Sequence, residues 1–158
     1  LIKVLFVCTS NICRSPTAHG IMRDRLLKAG LSDRITVESA ATDGYHVGER
    51  PDRRSLATAA KHGIDISDLR ARQVALDDFT TADVIAVMEN KHHARLLTRC
   101  PVGQEHRIKL LLSFIPNGTR QDVPDPYFGD ESFDQIFALI EAAIEGLLDH
   151  LKAKYLLA

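Results

Sequence analysis

A thiol and a guanidinium stand six residues apart near the start of the chain, in Cys8-Thr9-Ser10-Asn11-Ile12-Cys13-Arg14-Ser15. A cysteine is a nucleophile as its thiolate, and an arginine offers a planar, two-pronged donor matched to a pair of phosphate oxygens. The spacing alone is weak, because a chain with 20 Lys+Arg and three cysteines can meet it by chance. Its setting gives it weight. Residues 2–7 form a nearly continuous apolar, β-branched run, the pattern of a strand buried on both faces of a parallel sheet. From 16 to about 28, Ile21, Met22, Leu26 and Leu27 recur at helical spacing, with Ser15 as N-cap and Pro16 at the first helical position. A loop between such elements can curl so that the backbone N–H groups of Thr9, Ser10, Asn11, Ile12, Cys13 and Arg14 point inward, an anion nest continued by the helix N-terminus.

In that positive setting the Cys8 thiol is expected to lose its proton near neutral pH, so the anion site contains its own nucleophile. Cys13, five residues on, reads either as a helix-edge packing residue or as a thiol able to capture an oxidised Cys8 in a disulfide. Cys100 beside Pro101 reads as structural. A dinucleotide site would need G-x-G-x-x-G after the first strand, yet the first glycine is Gly20, and a Walker A sequence is missing too.

Further strands are expected at 34–39, at 83–88 and within 108–114, and helices at 53–61 (ended by Gly63), 91–98 and 133–151, the last opened by a Ser132/Gln135 capping box. This alternation predicts an α/β three-layer sandwich, with a four-stranded, mainly parallel sheet flanked by helices and the phosphate loop after strand 1. Long loops at 40–52 and 115–132 are placed to wall a crevice beyond the strand C-termini. Length and composition, 158 residues with 45% hydrophobic and 26% charged, fit one domain over 1–158. A net charge of -1 gives no footprint for nucleic acid or an anionic membrane, and the first apolar run is too short for a signal or a membrane span. Three cysteines without CxxC or HExxH argue against a disulfide scaffold and structural zinc, so a reducing cytoplasmic setting is expected.

The stretch Val7-Cys8-Thr9-Ser10-Asn11-Ile12-Cys13-Arg14-Ser15-Pro16 resembles the signature of the low-molecular-weight protein tyrosine phosphatases, and Asp125-Pro126-Tyr127-Phe128 resembles that family's acid-loop motif. Element order, the Ser39-Ala40 strand end, the His62-Gly63-Ile64 helix end and overall length agree, so the resemblance spans essentially the whole chain. Ser10 departs from the family's usual Gly, and Glu89 from its common Asp. The resemblance implies phosphoryl transfer without metal or cofactor: Cys8 attacks phosphorus to give a phosphocysteine, while the loop amides and Arg14 hold the equatorial oxygens. Asp125 would protonate the leaving phenolate and then activate the hydrolytic water. It also implies that Asn11, Ser15, Ser39 and His62 support the loop through hydrogen bonds, with Asn11 able to take a left-handed conformation. Tyr45 and Tyr127, with Phe128, would wall the substrate ring. The implied partner is a tyrosine-phosphorylated protein, with phosphate or vanadate as competitive inhibitors.

Apart from the resemblance, Asp125-Pro126 is an ordinary turn initiator, Ser39 a strand-end hydroxyl, His62 a helix-end cation, and His92 and His93 solvated helix residues. Two rival functions remain. One is a thiol-dependent arsenate reductase of the same fold, disfavoured because only Cys100 lies outside the loop. The other is a catalytically silent phosphotyrosine-binding or redox-sensing module, against which Cys8, Arg14 and Asp125 argue.

Overall fold

A computed structural model describes residues 1–127, 132–155 and 157; Phe128 lies outside the described residues. Strands β1 (Ile2–Cys8), β2 (Ile35–Ala41), β3 (Val84–Val87) and β4 (Ile108–Leu110) form one parallel sheet in the order β2-β1-β3-β4. The helices are α1 (Arg14–Ala29), α2 (Arg53–Lys61), α3 (Asp78–Thr81), α4 (Asn90–Leu97) and α5 (Phe133–Lys154). This is the three-layer α/β sandwich expected from the sequence.

The run that predicted a strand buried on both faces is β1, which pairs with β2 on one side and β3 on the other. Strand alternation divides its side chains between two cores. Val4, Phe6 and Cys8 pack with α1 and α5 residues such as Ile21, Met22, Ile140 and Ile144. Leu5 and Val7 face Phe79 and Leu96, beside α3 and α4. The register sets Cys8 opposite Ala41 and Val7 opposite Val87, so the C-terminal ends of three strands meet at the loop after β1.

The structure differs from the sequence-based elements at the start of the first helix and at α3. The first helix starts at Arg14, so Ser15 is not its N-cap; Cys13 holds that position and makes no side-chain capping bond. The fourth strand lies within 108–114 as expected and is three residues long, because Leu111–Phe114 winds into a 3-10 turn. The four-residue α3 has too little apolar periodicity to announce itself. Pro116-Asn117 forms a tight turn, with the Gly118 N–H donating to the Ile115 carbonyl at 3.2 Å. No helix among the described residues is long and apolar enough to cross a membrane.

Candidate active site

The loop after β1 is shaped by one left-handed residue. Asn11 has φ 58°, whereas Ser10 is not among the residues with positive φ, so serine in place of the usual glycine needs no special conformation there. The cost of the left-handed Asn11 is met by its polar groups. Its N–H donates to Cys8 Sγ (3.3 Å), its Nδ2 donates to Ser15 Oγ (2.6 Å), and its Oδ1 accepts from the Arg72 N–H (3.1 Å). Ser15 Oγ in turn lies 3.1 Å from Cys8 Sγ. Ser15 therefore serves the thiol from inside the first helical turn, and the helix N-terminus is left open.

The N–H groups of Ser10, Ile12, Cys13 and Arg14 bond to no other described residue, and these residues line a cavity of about 170 Å³ with Cys8, Thr9, His46, Asp125 and Tyr127. Inward N–H groups at the start of a 16-residue helix favour a bound anion.

Arg14 is buried and anchored from behind. Its Nη1 donates to Glu89 Oε2 (2.5 Å) and to the Val123 carbonyl (2.8 Å), which leaves Nε and Nη2 as the donor pair for a ligand. Nη2 lies 3.7 Å from Asp125 Oδ2. Burial opposes the charge on Arg14, but Cys8, Glu89 and Asp125 around it more than compensate and raise its pKa above the ordinary guanidinium value. The chain around Val123 is fixed by a 2.7 Å bond from its N–H to the Met88 carbonyl at the end of β3. Two residues on, Asp125 reaches the cavity, its Oδ1 accepting from the Tyr127 N–H at 3.0 Å.

Glu89 and His92 form a reciprocal cap on α4. The Glu89 N–H donates to His92 Nδ1 (3.1 Å), so the ring proton sits on Nε2, which donates to Thr9 Oγ1 (2.8 Å). Burial, with Arg14 and Lys91 nearby, pushes His92 down to about 3 and keeps it neutral. The reading of His92 as solvated is thus overturned: it is 2% exposed and braces the loop after β1 through Thr9. An acid at the helix N-cap with its partner three residues on is a signal that sequence reading could have used.

Three other expectations change. His62 stands apart from the loop, its ring stacked on Phe137 with centroids 4.0 Å apart. Ser39 is buried but bonds to His19 Nδ1 (3.0 Å), a residue the sequence did not single out. Tyr45 is 78% exposed and does not line the cavity; the neighbouring His46 does. Tyr127 keeps its expected place in the wall. Cys8 and Cys13 are both free thiols lining the cavity, and burial and Asp52 push Cys13 up to about 12.

The family model described as "Low molecular weight phosphotyrosine protein phosphatase" matches residues 3–156. Low molecular weight protein-tyrosine phosphatase A of Mycobacterium tuberculosis is 42% identical over 151 residues, covering 94% of this chain and 90% of that protein. The crystal structure of YfkJ from Bacillus subtilis superposes with a TM-score of 0.94 at 34% identity, covering 98% and 96% of the two chains. That of a protein tyrosine phosphatase from Entamoeba histolytica, with Hepes in its active site, gives 0.92 at 33% identity, covering 98% and 99%.

Proposed function

Because the chain belongs to the low molecular weight phosphotyrosine protein phosphatase family, and is a hydrolase of that class, we propose that its single domain hydrolyses phosphotyrosine and small aryl phosphates through a phosphocysteine at Cys8. One observation carries this reading: a thiol at the end of β1 shares a cavity with the loop of unshared N–H groups, the anchored Arg14 and a carboxylate at the mouth.

Cys8 Sγ attacks phosphorus and expels the phenolate. Loop N–H groups and Arg14 take the three equatorial oxygens, donors that are in place before charge develops. Asp125 supplies the proton to the leaving oxygen, and its carboxylate then takes one from the water that hydrolyses the thiophosphate. Tyr127 offers an apolar face to the ring. No step calls on a metal or cofactor. Phosphate and vanadate compete for the same nest.

The setting proposed is cytoplasmic, where the three free thiols would remain reduced. Under peroxide, Cys8 would be oxidised to a sulfenic acid, and Cys13 would displace water from it to close a reversible disulfide. Arsenate reduction is the less favoured reading, because Cys100, the thiol outside the loop, packs against the Leu5 and Val7 core, whereas Cys8 belongs to the core on the other face.

The test is hydrolysis of an aryl phosphate with no added metal or thiol, run beside arsenate with thioredoxin as reductant. The expected result is turnover of the ester only, lost in Cys8→Ser, which still binds vanadate. A phosphorylated intermediate trapped on any residue but Cys8 would overturn the mechanism.

A further inference from the structure

Between the cavity rim and α2 the chain reads His46-Val47-Gly48-Glu49-Arg50-Pro51-Asp52-Arg53-Arg54. Both acids in this segment are already occupied. Glu49 Oε2 lies 2.6 Å from His46 Nδ1, and Asp52 takes Arg54 through both oxygens at 3.0 Å. Arg50 and Arg53 are exposed and make no ion pair among the described residues. A chain of net charge -1 thus concentrates two unneutralised guanidiniums within four residues.

Their backbone is held against the site. The Gly48 N–H donates to the Ala71 carbonyl (2.8 Å), the Ala71 N–H to the Glu49 carbonyl (2.9 Å), and the Asp52 N–H to the Ile12 carbonyl in the phosphate loop itself (2.8 Å). The Arg54 guanidinium lies over the Tyr127 ring, 4.9 Å from its centroid, and over Phe133 at 4.6 Å. The same Arg54 lines an open groove of about 490 Å³ together with Asp52, Arg53 and Ala57. A peptide whose phosphotyrosine enters the cavity past Tyr127 has Arg54, and with it this groove, beside its flank.

We propose that Arg50 and Arg53 form a docking strip for acidic residues flanking the phosphotyrosine, so that the preferred substrates are phosphotyrosine segments rich in Asp and Glu. The proposal rests on the phosphatase reading above. Each contact is a solvent-exposed charge pair that adds about 1.7- to threefold in affinity, so the two together give about three- to tenfold. Flank contacts are the same before and during bond breaking, so the gain falls on KM and leaves kcat unchanged. It fades as salt shortens the screening length.

The experiment compares one phosphotyrosine peptide sequence carrying Asp, Ala or Lys at the flanking positions, against the parent chain, Arg50→Gln/Arg53→Gln and Arg53→Glu. The parent should prefer the Asp peptide over the Ala peptide by about three- to tenfold in kcat/KM at low salt. The double variant should lose that preference while hydrolysing a small aryl phosphate at the parent rate, and Arg53→Glu should turn it toward Lys. Equal kcat/KM for the Asp and Ala peptides in the parent, or an acidic preference that survives in the double variant, overturns the strip. Binding of the same peptides with a non-hydrolysable phosphonate in place of the phosphate ester reads the flank preference without turnover. Failure of the strip is thereby distinguished from failure of the phosphatase chemistry, which alone abolishes aryl phosphate hydrolysis.

Discussion

Two neutral histidines, His92 buried and His19 half-buried, should make the fold acid-sensitive in a window set by their own titration. His92 is pushed down to about 3 by burial, with Arg14 and Lys91 adding to the effect. His19 is pushed down to about 4 by burial and by Arg23, which outweigh the opposing Asp68 and Glu38, with Arg72 adding least. Both titrate near 6.5 once unfolded. The unfolded chain therefore binds protons that the folded one refuses: the stability these neutral rings contribute is complete above about pH 6.5 and declines as pH falls toward 4 and then 3. At pH 5 the solution lies about 1.5 units below the unfolded value of each ring and still above both folded values. At about 1.4 kcal/mol per unit that is about 2 kcal/mol each, and about 4 kcal/mol together. Against a typical total of about 5–15 kcal/mol this is a large fraction. Asp52, Asp65, Asp68 and Asp78 lie below their ordinary value and withdraw their support only below about pH 4, so they do not blur the decline between pH 7.5 and 5. Urea unfolding at pH 7.5, 6 and 5 measures the decline, and His19→Gln or His92→Gln should each remove about half of it. Histidine proton resonances should show both rings still neutral at pH 5. A stability constant to within about 0.5 kcal/mol across that range, or either ring titrating near 6.5 in the folded protein, would refute the argument.

Arg14→Lys should lower kcat/KM for an aryl phosphate by at least about 10²-fold, because a point charge supplies neither the paired donors nor both rear anchors; steady-state kinetics on the folded variant would show it, and near-parent activity would contradict it. Asp125→Ala should lower kcat by roughly 10² to 10⁴ for poor phenolate leaving groups and progressively less for good ones, so equal losses across a leaving-group series would reject the acid role. Peroxide should inactivate the enzyme, bound phosphate should protect it and dithiothreitol should restore it. Cys13→Ser should recover less fully, and mass spectrometry of the oxidised parent should find a Cys8–Cys13 bridge; full recovery of the variant would remove Cys13 from the switch.

The parts legible in the sequence were those that are local. A buried strand, a polar loop and a periodic helix follow one another over residues 2–28, so the thiol, the nest and the guanidinium could be placed from the order of the letters alone. What anchors Arg14 could not, because Glu89 and Val123 lie 75 and 109 residues away and come together only through the pairing of β1 with β3. The same limit explains His62. A histidine at a helix end near the right position looks like loop support, but packing of α2 against α5 turns its ring onto Phe137. Tyr45 and His46 differ by one residue in a loop, and no periodicity says which side chain faces the cavity. His92 was misread for a different reason: a helix N3 position can fold back onto its own cap, here drawing the ring between Glu89 and Thr9.

In the mechanism proposed above, the two carboxylates around Arg14 would divide two duties that one residue could not combine. A buried guanidinium needs a permanent counter-charge, and a proton donor needs to change its charge during the reaction. Glu89 is fixed at the rear, capping α4 and accepting from Nη1, with its side chain 17% exposed. Asp125 stands at the mouth, 29% exposed and 3.7 Å from Nη2, held mainly by the Tyr127 N–H. Gaining or losing a proton at Asp125 thus leaves the rear ion pair intact, and the donor edge of Arg14 keeps its place through both steps. The Val123 carbonyl links the two halves, since it binds Arg14 two residues before the acid. Placement of the clamp and delivery of the proton are in this way set by the same short stretch of chain.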